Sequence, residues 1–249
     1  MENYKLTLAY EGKRYKGFKS IKGEEEKTIQ GKIEAILKKL YETDVEIISA
    51  VNTDAGVSAS YQVVNFQVPT KTYTGKKIRS YLDEFLPEDI ITLGIEKVDE
   101  RFHSRYLIKA ITYEYHLWKS DAPRRPLFER RQVKVMDKPL NALVMEEAAK
   151  AFIGEHDFRA FATTAKVKST TKEIYSLDVI DSECEIVIRI KASGFLLHME
   201  RIIIGTLVQI GLYEKDLDTI RKGLTSMNEK YVGHKAMAGA LCLTGLDYE

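Results

Sequence analysis

From Tyr4 to Tyr10 the chain alternates Tyr4, Leu6, Leu8 and Tyr10 with Lys5, Thr7 and Ala9. That is the period of two that sets one face of a strand against a core. The stretch from Glu11 to Lys27 has no apolar period and is punctuated by glycine, which predicts an exposed loop. Behind Thr28, a side chain suited to capping a helix, the apolar residues Ile29, Ile33, Ile36, Leu37 and Leu40 recur at helical spacing. Strands are expected near 45–50 and 62–67, separated by the turn-like segment from Asn52 to Ser60. A helix over 75–85 follows. After Leu86-Pro87-Glu88-Asp89 come a strand near 90–97 and another that holds Tyr113, Tyr115 and Leu117 on one face.

The rest of the chain repeats the alternation. A helix is predicted over 141–153, closed by Gly154, then a strand over 184–192 with Cys184, Ile186, Ile188 and Ile190 in alternation. An apolar helix over 195–210 ends at Gly211. Two α/β halves follow from this order, the first over 1–105 and the second over 106–249. No Pro/Ser-rich linker marks the boundary, so the halves are expected to pack tightly or to share one sheet. A cleft between two such halves is a usual place for a ligand.

Composition narrows the field of functions. Of 249 residues, 44% are hydrophobic and 30% charged, as in a folded soluble protein. The net charge of +1 gives no global attraction to a polyanion, so nucleic-acid binding requires local clusters such as Lys13-Arg14-Tyr15-Lys16, Arg124-Arg125 and Arg130-Arg131. Two cysteines and scattered histidines without ligand spacing imply a reducing compartment, no disulfide framework and no metal site. The N-terminus lacks the apolar run of a signal peptide. The apolar stretch Phe195–Leu212 carries His198, Glu200 and Arg201 and is too short for a bilayer. A cytoplasmic protein without a membrane span is expected.

Three groups stand out chemically. Asp54 follows a strand ending at Ala50-Val51 and precedes Ala55-Gly56; this is turn chemistry, or a carboxylate displayed rigidly above a sheet. Arg201 lies among Leu196, Leu197, Met199, Ile202, Ile203 and Ile204, and a guanidinium in such a helix needs a partner, either Glu200 or an acid from elsewhere. Tyr113 and Tyr115 are strand packing, or a stacking surface for RNA bases.

In order along the chain stand YEGKRYKGF at 10–18, TIQ at 28–30, TDAGV at 53–57, LPEDI at 86–90, FHSRY at 102–106, TYEY at 112–115, GEHDFRAF at 154–161 and HMERIIIG at 198–205. In these segments the sequence resembles the TruA-type tRNA pseudouridine synthases over nearly its whole length. The resemblance implies an α+β fold of two similar halves, each a mainly antiparallel sheet backed by helices, with the active site in a central cleft. It makes Asp54 the catalytic aspartate, Arg201 its basic partner and Tyr113 the ring that stacks on the target base. Asn52 stands where the family places an arginine that helps take that base out of its stack. Ser58 replaces a histidine, and Phe18-Lys19 replaces an aromatic-Gln pair.

The activity implied is isomerisation of uridine to pseudouridine in tRNA, at positions 38 to 40 of the anticodon stem-loop, through a covalent Asp54 adduct. No cofactor is needed, and the enzyme is expected to be a homodimer. Two other readings compete: a tRNA-binding or tRNA-folding protein of the same fold with weakened catalysis, and a small-molecule enzyme using Asp54 as a phosphoryl or glycosyl acceptor. The second lacks a phosphate-cradling glycine loop.

Overall fold

The computed structural model describes residues 1–70, 72–163 and 169–248. In chain order the elements are β1 (Glu2–Tyr10), α1 (Ile29–Tyr41), β2 (Ile47–Ser49), β3 (Ser58–Val68), α2 (Gly75–Phe85), β4 (Ile90–Val98), β5 (Ile108–Trp118), β6 (Lys134–Val135), α3 (Ala142–Ala149), β7 (Gly154–Asp157), β8 (Thr171–Asp181), β9 (Glu185–Ala192), α4 (Met199–Gly211), α5 (Asp218–Ser226) and β10 (Leu241–Tyr248). Two compact units result. One holds Met1–Lys109 together with the chain's end from Leu243; the other is Ala110–Cys242.

In the first unit the strands lie in the order β4-β1-β3-β10, with β2 on β3. The β1–β3, β1–β4 and β2–β3 pairs are antiparallel. The alternation read in β1 is real: Tyr4, Leu6, Leu8 and Tyr10 are all buried. In β3 the run Gln62–Phe66 is buried on both faces. The polar member Asn65 is satisfied by accepting from the Ser104 N–H at 2.9 Å and donating to Asn3 Oδ1 at 3.2 Å. Thr28 caps α1 by accepting from the Gly31 N–H at 3.2 Å, and Ile29, Ile33 and Leu37 are fully enclosed.

In the second unit the order is β5-β9-β8-β7, antiparallel throughout. The short β6 runs parallel beside the end of β5. Ile186, Ile188 and Ile190 of β9 are fully buried, as their alternation required, and α3 packs on α4 and β8. The α+β expectation therefore holds in each unit, antiparallel strands backed by helices. Among the described residues no helix is long and apolar enough to cross a membrane.

Four local expectations change. The segment 11–27 is not exposed along its length, since Gly12, Tyr15, Gly17 and Phe18 are buried. It bonds to the loop before β3 and to the start of α1, contacts that impose no period. The helix expected from 195 begins at Met199, because His198 adopts a left-handed backbone (φ 62°) that breaks helical continuity. The helix expected over 141–153 ends at Ala149 and finishes as a tighter turn over Lys150–Phe152. The strand expected at 62–67 extends back to Ser58, so the turn that carries Asp54 is shorter than read.

Candidate active site

Between β2 and β3 the chain crosses in eight residues, 50–57, and Asp54 lies in the middle. The Val57 N–H donates to the Asp54 carbonyl at 3.1 Å, closing a four-residue turn, and Gly56 supplies the positive φ of 83° that this turn needs. The turn is clamped from below. The Phe18 N–H donates to the Thr53 carbonyl at 3.1 Å and the Gly56 N–H to the Tyr15 carbonyl at 3.2 Å. The Tyr10 hydroxyl meets Thr53 Oγ1 at 2.8 Å, and Gln62 Nε2 donates to the Val51 carbonyl at 2.9 Å.

The loop after β1 is therefore the bed on which the Asp54 turn lies. Gly17, at φ 106°, passes so close that a Cβ there would stand 2.8 Å from the Thr53 carbonyl oxygen. Gly12 is pressed against the Val57 carbonyl in the same way, and its N–H donates to Ser58 Oγ at 3.0 Å. Ser58 thus ties the two loops together. Asp54 itself is half-buried. The arrangement fixes the backbone on both sides of one carboxylate, which suits a nucleophile that must not wander.

Asn52 is exposed, and its Oδ1 accepts from Ser49 Oγ at 2.7 Å. Arg105 reaches the same serine: its Nε donates to the Ser49 carbonyl and its Nη2 to Ser49 Oγ, each at 3.2 Å. Sequence reasoning passed over Arg105 because nothing in its spacing connects it with position 52.

Tyr113 and Arg201 lie in the second unit. Tyr113 is buried in β5, edge-on to Phe195 with 5.4 Å between ring centres. Arg201 is buried on the first turn of α4, where its Nε donates to the Ala236 carbonyl at 2.8 Å and its own carbonyl accepts the Ala236 N–H at 3.0 Å. The loop around 233–236 lies directly on α4: the Gly233 N–H donates to Thr206 Oγ1 at 2.8 Å, and a Cβ at Gly205 would overlap the His234 carbonyl oxygen. Tyr115, two residues along β5 from Tyr113, has its phenol pushed up to about 12 by burial, against the lowering pull of the Met237 backbone N–H and the Arg201 charge. A buried guanidinium, a buried phenol and a pinned loop thus form one polar cluster around the start of α4.

The basic clusters are partly engaged within the protein. Arg14 pairs with Asp89 at 2.6 Å and Lys16 with Glu24 at 2.6 Å. Arg124 stacks over Trp118 and pairs with Glu129 at 2.8 Å, which holds the Glu129 carboxyl down at about 2.

A family model described as tRNA pseudouridine synthase matches residues 7–107 and 148–249. A "tRNA pseudouridine synthase A 2" of Bacillus cereus is 39% identical over 249 residues, which is all of both chains. The "tRNA pseudouridine synthase A" proteins of Bacillus sp. (strain KSM-64) and Dictyoglomus thermophilum are 39% and 35% identical, again over the full length of each. Matches of this extent place the chain in the TruA-type tRNA pseudouridine synthase family, as an isomerase of that class.

Proposed function

We propose that the protein converts uridines 38 to 40 of the tRNA anticodon stem-loop to pseudouridine, with Asp54 as the nucleophile. The single observation that carries this is the clamping of the Asp54 turn, whose flanking carbonyls and N–H groups are bonded to the loop after β1. Such an investment of fixed polar contacts around one half-buried carboxylate suits covalent chemistry. The target nucleotide leaves its stack and its base rests on Tyr113. Asp54 attacks the nucleotide and the N-glycosidic bond breaks; the uracil turns, the carbon–carbon bond to the ribose forms, the bond to Asp54 is released to restore the carboxylate, the ring carbon gives up its proton to solvent and the freed ring nitrogen takes one. Atoms are conserved, as an isomerisation requires. Arg201 is the basic residue of the reaction in this reading, held by its bond to the Ala236 carbonyl. The enzyme acts in the cytoplasm as a homodimer.

The test is Asp54→Asn, which keeps the size and removes the nucleophile. Pseudouridine, mapped in tRNA incubated with each protein, disappears with the variant. Affinity for tRNA stays within about tenfold, because the lost group acts in the reaction and not in ground-state binding. Tyr113→Phe keeps the ring and is the companion control. An Asp54→Asn protein that forms pseudouridine at the wild-type rate overturns the assignment. A wild-type protein that binds tRNA without converting it, even in a single turnover, favours the tRNA-binding reading.

A further inference from the structure

The turn from Asp99 to Leu107 has a fixed underside and a basic, aromatic upper side. Beneath it, Asn3 Nδ2 donates to the Asp99 carbonyl at 3.0 Å and to the Phe102 carbonyl at 2.9 Å. Ser104, fully buried, is held at every polar group. Its N–H donates to Asn65 Oδ1 at 2.9 Å, its Oγ to the Ile48 carbonyl at 2.7 Å, and its carbonyl accepts from the Tyr248 hydroxyl at 2.7 Å. Four strands thus anchor this one turn.

The next two residues point outward. Arg105 is exposed, and the bonds of its guanidinium among the described residues are the two to Ser49, both to uncharged oxygens. A guanidinium offers five N–H donors, so most remain available, and no carboxylate among the described residues pairs with the charge. Tyr106 is 79% exposed and its ring stacks on His103, with centroids 4.0 Å apart and 22° between planes. His103 Nδ1 accepts from the backbone N–H groups of Arg105 and Tyr106 at 3.2 and 3.3 Å, which leaves the ring proton on Nε2, pointing away from the turn. An exposed tyrosine ring, backed by a histidine and beside an un-neutralised guanidinium, is a combination that binds phosphate and base in single-stranded RNA. Ser49, which holds Arg105, also holds Asn52, two residues before Asp54.

We propose that Arg105, carried by the His103–Tyr106 stack, is the grip of the Asp54 loop on RNA: its guanidinium holds a phosphate close to the target uridine, and the exposed tyrosine ring supports a neighbouring base. Arg105 is thereby a positioning residue, held by the same serine that holds Asn52. This rests on the reading of the protein as a tRNA-modifying enzyme.

Arg105→Gln, Arg105→Lys and Tyr106→Ala are compared with wild type on unmodified tRNA transcripts in single-turnover conversion and in binding across a salt series. Arg105→Gln weakens binding or raises the half-saturating tRNA concentration by about tenfold, and lowers the salt slope of log affinity by roughly 0.7–0.9, the value of one phosphate contact. Arg105→Lys keeps the slope and recovers part of the rate. Tyr106→Ala weakens binding several-fold with the salt slope intact, because stacking releases no counterion. Arg105→Gln with wild-type salt slope and half-saturation overturns the proposal while leaving the assigned activity standing. Absence of conversion by the wild type defeats the assigned activity instead. If Arg105→Gln fails to fold, Arg105→Lys and Tyr106→Ala decide: equal salt slopes with weakened stacking support the grip, and wild-type behaviour of both overturns it.

Discussion

At the scale of single residues, Asn52 and Arg105 share Ser49 as a common partner, one through Oγ alone and the other through Oγ and the carbonyl. Residues joined through one hydrogen-bond partner couple, so their substitutions do not add. Asn52→Arg is expected to accelerate conversion of uridine. The gain is larger, about tenfold, when Arg105 has been changed to Gln, because only then is the local cation missing. Single-turnover rates of the two single variants and the double variant give this directly, and equal gains in both backgrounds dissociate the two positions. Asp54 as a candidate was legible in TDAGV and in the order of the surrounding segments. The link of Arg105 to the segment before Asp54 was not, because it depends on a bond between residues 56 positions apart.

At the scale of elements, the loop after β1 shows how a segment without periodicity can be structural. Gly17 has φ 106° and no room for a Cβ beside the Thr53 carbonyl; Gly23 has φ 82° and nothing within 4 Å. Both positions strain a non-glycine residue by about 1–2 kcal/mol. Only Gly17→Ala also displaces the turn that holds Asp54. Gly17→Ala is therefore expected to lower the conversion rate by more than tenfold, whereas Gly23→Ala loses a similar backbone contribution in denaturant melts and keeps its rate. Equal rates in the two variants show that the bed does not position Asp54. The helices and strands with clean periods, α1, β1 and β9, were readable because their buried faces repeat. The start of α4 was misplaced because Phe195, Leu196 and Leu197 continue its apolar pattern, while the left-handed His198 interrupts the backbone in a way that hydropathy cannot see.

At the scale of the whole molecule, the first unit is closed by the last strand of the chain. Leu243 and Leu246 are buried there, the Tyr248 hydroxyl donates to the Ser104 carbonyl at 2.7 Å, and its ring lies 5.8 Å from that of Phe102. Two buried leucines contribute roughly 1.5–3 kcal/mol each and the hydrogen bond about 1 kcal/mol, which together is a large part of the 5–15 kcal/mol that stabilises an ordinary domain. A chain ending at Cys242 is thus expected to expose the segment 1–109 to limited proteolysis, with early cuts near the Asp99–Leu107 turn. Unchanged protection of that segment shows that β10 is dispensable to it.

The sequence by itself determined the alternation of strands and helices, the apolar faces that become the cores and the family, and it proposed the carboxylate at position 54, because each is written in residues that are neighbours or a fixed period apart. Only the tertiary structure decided that the loop after β1 underlies Asp54, that Arg201 holds the loop at Ala236, that the chain's end returns to its first unit, and that Arg105 stands beside Asn52. These depend on hydrogen bonds and close approaches between distant segments. Such contacts are set by how the elements pack, and no local pattern of hydrophobic and polar residues encodes them.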